Sequence, residues 1–454
     1  MLIRFTVENF LSFNGRQVFS MIPGKGTLKK NHKARSVNGI SLLKAGVIFG
    51  ANASGKSNLV KAVAFGKRMV ILGQKQNNII DYSKFRLNSN AMNANSRLEF
   101  EIQTNGHNYA YGFVFNNQRI EEEWLYEVKK DSEKLIFERN SSLNEQYNIE
   151  PLLNKNKNKD HQQFLKFSTK GTPDNQLFLH DIISRKVKDN VDDISDIINV
   201  YNWFANTLKV IFPEDKYKEG IQFELVENDK LRNIFDELLH YFGTGIDGIC
   251  LQPMDIKEVR IPNIVLDKIK EDLLKSPQKN MKTIVSSRNY TYFISLKDND
   301  LQFQKFMTLH KVLDRENPEF FDTRDESDGT NRIIDYIPLI VDLLNGNNVF
   351  LIDEMERSLH PNLIYDIIDL FLDFSDDGNS QLIIASHESS LLTQKLYRKD
   401  EIWFTVKNNF GETQLHSLEE YNVRFDKEIR KDYLLGRFKA IPRLGNRYEL
   451  NSLK

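Results

Sequence analysis

The sequence predicts an α/β fold built around a phosphate-binding loop, and three segments carry that reading. The first is Gly50-Ala51-Asn52-Ala53-Ser54-Gly55-Lys56-Ser57, a glycine-bounded turn. It follows the apolar run Ala45, Val47, Ile48, Phe49 and precedes the helical pattern Asn58 to Phe65. The second is Asn348 to Ile352, an apolar strand pattern that ends in Asp353 and Glu354. The third is Gln381 to Ser386, a second apolar strand pattern with His387 just past its end. In an open α/β sheet, ligands gather at the carboxyl ends of strands.

A strand, a glycine turn and a helix start aim backbone N–H groups and the helix dipole at one point, which suits a polyphosphate. The candidate nucleotide-binding segment is therefore Gly50, Ala51, Asn52, Ala53, Ser54, Gly55, Lys56, Ser57 and Asn58. Within it, Lys56 is expected at the β/γ-phosphates and the Ser57 hydroxyl on Mg²⁺. Next comes a strand meander. Leu98, Phe100 and Ile102 alternate with charged residues, Asn105-Gly106 is a hairpin turn, and Tyr109, Tyr111, Phe113 and Phe115 form the return. Trp124, Tyr126 and Val128 are expected on one face of a third strand, and Leu135-Ile136-Phe137 begins a fourth. The aromatic stripe reads as core.

Asn154 to Asp160 is the most polar stretch and reads as a flexible loop. From Leu177 to His310 apolar residues recur at three- and four-residue steps, which predicts a mainly helical segment, with a strand pair near Lys282 to Leu296 around Ser286-Ser287-Arg288-Asn289. No heptad is sustained, so a long coiled coil is excluded.

Asp325 to Arg332 places Ser327, Gly329 and Thr330 at the start of another helical run, a second anion-binding corner or an ordinary cap. One chain does not easily fold both helix starts onto one phosphate, whereas two chains facing head to tail can. The strand ending at Asp353 is expected directly beside the loop strand, with Asp353 holding Mg²⁺ and Glu354 acting as general base toward water. A crossover helix follows, from Pro361 through Leu363, Ile364, Ile367, Ile368, Leu370 and Phe371. It leads to His387, which is placed to donate to a γ-phosphate or to the attacking water.

The chain has 454 residues, a formal net charge of −1, 40% hydrophobic and 28% charged residues, the balance of a soluble globular protein. A dominant basic surface is excluded, although Lys25, Lys29, Lys30, Lys33 and Arg35 cluster before the loop. A second cluster, Lys427, Arg430, Lys431, Arg437, Lys439, Arg443 and Arg447, interleaves with Tyr433, Leu434 and Phe438 near the end. One cysteine, Cys250, excludes an internal disulfide and reads as a core residue. There is no apolar run of membrane-spanning length and no signal-peptide pattern, so a cytoplasmic location and no membrane partner are expected.

Together these elements resemble an ABC-type ATPase head of the kind found in SMC and RecF-like proteins. Gly50 to Ser57 matches Walker A, and Asp353 with Glu354 matches Walker B and its catalytic glutamate. Ser358-Leu359-His360-Pro361 matches the D-loop and His387 the H-loop. Ser327, Gly329 and Thr330 match the signature segment, written Glu-Ser-Asp-Gly-Thr rather than Leu-Ser-Gly-Gly-Gln. The opening, Met1 to Phe13, resembles the first strand and turn of such heads. The Ser-Leu-His-Pro tail and Tyr433-Leu434-Leu435-Gly436-Arg437-Phe438-Lys439-Ala440-Ile441-Pro442 resemble the RloA/AbiL-like ATPases of bacterial abortive-infection modules, with Lys439 where that group carries glycine.

The resemblance implies an ABC-type P-loop head with a mixed central sheet, an antiparallel β-lobe and a helical insertion. It divides the chain at 1–150, with Walker A and the lobe, 151–313, the mainly helical insertion, and 314–454, with signature, Walker B, D-loop and H-loop. It implies ATP and Mg²⁺ as ligands. It also implies a homodimer or higher homo-oligomer joined through ATP-bound heads, in which the signature residues act in trans. A separate effector, a Toprim-type or other nuclease, is the implied protein partner, and nucleic acid a further one. The implied activity is ATP hydrolysis in a sensor or scaffold of antiviral defence. The alternative is a DNA-repair or DNA-maintenance ATPase acting on DNA directly.

Overall fold

A computed structural model of the chain describes residues 1–185, 193–217, 228–275, 282–287, 290–375, 378–421 and 428–442. In chain order, β1 (Leu2–Glu8), β2 (Gln17–Ser20) and β3 (Ala45–Phe49) lead to α1 (Lys56–Ile71) and α2 (Ser89–Asn93). Then come β4 (Ser96–Thr104), β5 (His107–Phe115), β6 (Ile120–Lys129), β7 (Ser132–Asn140) and β8 (Tyr147–Asn148). Four helices follow, α3 (Glu150–Lys155), α4 (Lys159–Gly171), α5 (Phe178–Ser184) and α6 (Ser195–Asn202), before β9 (Leu208–Ile211). After α7 (Asp229–Tyr241) come β10 (Gly248–Met254), α8 (Asn263–Lys275), β11 (Lys282–Ser287), β12 (Tyr290–Lys297), β13 (Asp300–Val312) and β14 (Arg315–Asp322). The remainder is α9 (Asp328–Asn345), β15 (Val349–Asp353), α10 (Pro361–Phe374), β16 (Gln381–Ser386), β17 (Ile402–Lys407), β18 (Thr413–Ser417) and α11 (Ile429–Leu434).

The chain divides into two compact units. One comprises Met1–Asp215, Asp342–Arg357 and Ile364–Lys454; the other comprises Lys216–Val341 and Ser358–Leu363. The first unit holds two sheets. A six-stranded sheet has the order β18-β17-β3-β16-β15-β9, parallel except for β18. Its inner strands β3, β15 and β16 are buried at every position, which is why they read as unbroken apolar runs rather than alternations. A seven-stranded antiparallel sheet, order β2-β1-β4-β5-β6-β7-β8, forms the lobe. α1 lies in the shared core with Leu59, Val60, Ala62, Val63, Met69 and Val70 buried. It comes close to the lobe because Gly66 has no side chain; a Cβ there would strike the Phe100 ring. The stripe Tyr109, Tyr111, Phe113 and Phe115 is fully buried in that core. The second unit is built on an antiparallel sheet, order β10-β13-β12-β11, with β14 also paired to β13.

Several expectations are corrected. The strand ending at Asp353 is not beside β3, because β16 lies between them. The segment read as mainly helical contains β9, an edge strand of the central sheet, and β10 and β13, which pair over Gly248 to Met254. Short strands carrying apolar residues three or four apart mimic helical spacing, so periodicity alone does not separate them. The polar stretch Asn154 to Asp160 holds only a three-residue link, 156–158, between two helices. It ends α3 and begins α4, with Asn158 accepting from the Asp160 N–H and the fully buried Asn156 bonded to Leu152 O and to the Asp193 backbone. Amide side chains at helix ends satisfy backbone groups that would otherwise lack partners, so a polar composition there signals caps.

On β6, Leu125 rather than Trp124 is fully buried, and the register with β7 shifts between Leu125 and Tyr126, so Trp124, Tyr126 and Val128 do not form one buried face. Cys250 is only half-buried. The turn residues Arg288 and Asn289 lie outside the described residues, as do Lys427, Arg443 and Arg447. No described helix is long and apolar enough to cross a membrane.

Candidate functional site

The loop from Gly50 to Ser57 leaves the end of β3 and enters α1, as its sequence requires. Gly55 takes φ +111°, a conformation open to glycine, and Ala53 takes φ +63°. The loop is bolted from behind by two threonines on the neighbouring strands. Thr405 of β17 shares a 2.6 Å hydroxyl bond with Ser54. Thr413 of β18 donates to the Ser54 carbonyl at 2.8 Å and shares a 2.7 Å hydroxyl bond with Ser12. Asn58 in turn donates to Ser12 at 2.8 Å. The same contacts explain both glycines: a Cβ at Gly50 would collide with the Thr405 hydroxyl, and one at Gly55 with Thr413. Asn52 and Ala53 remain exposed at the tip.

Lys56 is buried, and its ammonium donates to the carbonyls of Gly50 (2.7 Å) and Ala51 (3.2 Å). Burial lowers its pKa, while the carboxylates of Glu356, Asp353 and Glu354 oppose that shift. Burial pushes the Asp353 carboxyl up; the Ser57 hydroxyl bond lowers it, the Glu354 charge raises it and Lys56 lowers it. These interactions place Lys56, Ser57, Asp353 and Glu354 in one electrostatic neighbourhood. Asp353 is 3% exposed, and its Oδ1 has no hydrogen-bond partner. A buried, unsatisfied carboxylate oxygen beside a hydroxyl is a donor set that suits a hard cation such as Mg²⁺. Among the described residues no group of three or more His, Cys, Asp or Glu side chains is gathered for a metal. Mg²⁺ ordinarily needs only one or two protein ligands when phosphate oxygens and water supply the others.

Glu354 takes φ +51° and Ser358 φ +64°. A left-handed conformation costs a residue with a Cβ about 1–2 kcal/mol, and such strain concentrates at functional sites. The turn is held by Glu354 N–H donating to Ala385 O at 2.9 Å and Arg357 N–H donating to Glu354 O at 3.0 Å. His387 stands one residue past β16 with its side chain half-exposed. Its backbone N–H and its Nδ1 both contact Glu356 Oε1, at 2.7 and 3.0 Å.

In the second unit, Ser327 caps α9, its hydroxyl accepting from the Thr330 N–H at 3.0 Å and touching the Thr330 hydroxyl at 2.9 Å. Gly329 is needed for packing: a Cβ there would lie 3.0 Å from the Ser358 carbonyl of the D-loop segment. Glu326, next to the cap, bonds His310 at 2.7 Å and the Thr308 hydroxyl, which ties the corner to β13.

The two basic clusters differ in setting. Lys29 and Lys33 donate to backbone carbonyls near the start of β17, the end of the sheet opposite the loop. The C-terminal segment instead packs onto the loop strand. Tyr433 lies 6.3 Å from the ring of Phe49, which immediately precedes Gly50, and Phe404 stacks on Phe438 at 4.8 Å. Lys439 takes φ +57°, a left-handed conformation that glycine adopts more readily.

Sequence reasoning missed Thr405, Thr413, Ser12 and Glu356. The first three carry no motif, and their role exists only through pairing of strands hundreds of residues apart. Glu356 lay two residues past Glu354 and could have been noticed as a third acid in the same turn.

No curated protein matches the chain. Solved structures it resembles include the SMC head domain from Thermotoga maritima, at 9% identity over 92% of this chain and 98% of that one, with a TM-score of 0.37. An Smc head bound to the C-winged helix domain of ScpA aligns at 12% identity over 92% and 98%, with a TM-score of 0.40. An Smc head with an extended coiled coil, bound to the C-terminal domain of ScpA derived from Pyrococcus furiosus, aligns at 11% identity over 96% and 99%, with a TM-score of 0.38. Residues 47–393, from the loop strand through His387, match the family described as "AAA domain, putative AbiEii toxin, Type IV TA system". The chain belongs to that family of AAA-domain proteins.

Proposed function

We propose that the chain hydrolyses ATP between two paired heads and uses the cycle to hold and release a separate effector, a nuclease toxin, in antiviral defence. The observation that carries the reading is an asymmetry. Lys56, Ser57, Asp353, Glu354 and His387 stand at the carboxyl ends of adjoining strands in one unit, whereas Ser327, Gly329 and Thr330 stand at a helix start in the other. The family's AbiEii description supports placing the chain in an abortive-infection module.

Lys56 and the loop N–H groups bind the β/γ-phosphates. Ser57 and Asp353 would hold Mg²⁺, which when bound neutralises charge developing on the phosphate oxygens. Glu354 takes a proton from the attacking water as general base, and His387 contacts the γ-phosphate. The Ser327 corner of a second copy closes the site. ATP favours the paired state because it binds that state better, and hydrolysis removes the preference.

The test is the mass of the Glu354→Gln chain in solution, measured by light scattering with and without Mg-ATP. The proposal expects a pair or larger assembly with nucleotide, reduced to the nucleotide-free mass in the Ser327→Arg background. An assembly indifferent to ATP would overturn it. The effector half is tested by mass spectrometry of what co-purifies with that trapped form: a nuclease supports it, and nucleic acid bound in a salt-sensitive manner favours direct action on DNA.

A further inference from the structure

Two hydrogen-bond donors and a ring nitrogen converge on one oxygen of Glu356. Its Oε1 accepts from the Ser386 hydroxyl at 2.9 Å and from the His387 backbone N–H at 2.7 Å, and the His387 ring Nδ1 lies 3.0 Å from it. Glu356 is 9% exposed, and its Oε2 is buried without a hydrogen-bond partner, so the Oε1 set alone holds the side chain. The network continues outward, since the Glu388 N–H donates to the Ser386 hydroxyl at 3.0 Å. The turn after β15 is thereby tied to the turn after β16, across strands paired in parallel with Asp353 opposite Ala385. Fully buried Met355 anchors the same turn from inside.

We infer that Glu356 is the positioning residue for His387: it fixes the ring's orientation and tautomer so that Nε2 is the nitrogen offered to a ligand. An ionised carboxylate only accepts, so the ring nitrogen facing it carries the proton. With Nδ1–H spent on Glu356, Nε2 is the free nitrogen, and the bond to Nδ1 decides its state. A half-exposed imidazole at a strand end, held by nothing else, would turn among rotamers. Here the backbone N–H bonds the same oxygen that the ring Nδ1 faces at 3.0 Å, so one carboxylate addresses both the strand end and the ring. Glu356 is also the carboxylate that most opposes the effect of burial on Lys56, so one buried side chain faces both walls of the site. The use of Nε2 toward a γ-phosphate rests on the ATPase reading; the orientation of the ring does not.

The experiment is long-range ¹H–¹⁵N correlation on the full chain labelled with ¹⁵N-histidine, with His387 assigned by its absence from His387→Ala. The expected result is an Nδ1-protonated ring in the wild type, retained in Glu356→Gln, whose amide oxygen still accepts, and lost in Glu356→Ala. Alongside it, Glu356→Ala should lower kcat for ATP about 10–100-fold with nucleotide affinity unchanged. Added to His387→Ala it should cost nothing further, because two residues acting as a unit are not additive. An Nε2-protonated His387 in the wild type overturns the inference, as does a tautomer indifferent to Glu356→Ala, or losses that multiply in the double variant. The wild-type spectrum decides even if the alanine variant does not fold. A wild type that binds no nucleotide would sink the ATPase reading and leave the spectrum to judge the positioning.

Discussion

The phosphate loop and the Ser327 corner are both helix starts, yet they are built differently. The base of the loop is buried, its carbonyls and the Ser54 hydroxyl fixed by Thr405, Thr413 and Lys56 with Ser12 bonded behind them, side chains from four separate stretches of the sequence. The corner is exposed, and Ser327 is satisfied by its own helix. A loop held from behind is preorganised for a ligand in front, which is where binding affinity originates. A helix start whose serine is satisfied by its own cap, with its base tied back through Glu326, is left open on its outer side, as a surface offered to something else would be. The difference suggests where binding and where completion of the site reside, and each substitution below breaks one side of it.

The largest effects should fall on the buried side. Lys56→Ala is expected to abolish nucleotide binding in a fluorescent-nucleotide titration, since no other described side chain places an ammonium among these carbonyls. Glu354→Gln should keep binding and lose hydrolysis by about 10²–10⁴-fold, the usual contribution of a general base. On the exposed side, Ser327→Arg should leave affinity intact and lower hydrolysis by about 100-fold, the order seen when one donor to developing charge is removed. Equal affinity with unchanged turnover would dissolve the contrast.

A smaller effect sharpens it. Thr413→Val leaves the Ser54 carbonyl without its donor and the Ser12 hydroxyl without one of its partners, at a cost of about 1–3 kcal/mol. The expected outcome is roughly tenfold weaker nucleotide binding, because each 1.4 kcal/mol is a factor of ten. Isothermal titration calorimetry would read it directly.

Asp353 gives a pH signature. Burial holds its carboxyl above the ordinary range, so the folded chain resists ionising it. The resulting penalty is absent in acid, grows as pH rises through the ordinary carboxylate range and is full above the raised value. Asp353→Asn should therefore melt higher than the wild type at about pH 7 when nucleotide is absent, with the gap closing toward about pH 4. The same variant should lose the extra stabilisation that Mg²⁺ adds to bound nucleotide. The mildest prediction concerns the brace behind the loop strand. Lys439→Gly relieves a left-handed residue and should stabilise the chain by about 1 kcal/mol, read as a shift in denaturant midpoint.

What was legible in the sequence was local. A run buried on both faces, a glycine turn and a helix start lie within twenty residues of one another, and their order alone gives the loop. The carboxylates and His387 were legible because each ends a buried run. The bolts were not. Thr405 and Thr413 resemble any strand threonine until β17 is set beside β3. The insertion misled for the opposite reason: β10 and β13 carry apolar residues at intervals that a helix also produces, and only their pairing separates the two. Asn156 and Asn158 read as linker residues because amides are polar, although here they close helix ends.

The most direct test mixes two inactive chains, Lys56→Ala and Ser327→Arg. If the nucleotide is shared, a mixed pair contains one site with an intact loop from the second chain and an intact corner from the first. ATP hydrolysis should then return on mixing, to a substantial part of the wild-type rate. A mixture as inactive as either chain alone, under conditions where the wild type turns over, would contradict the shared site.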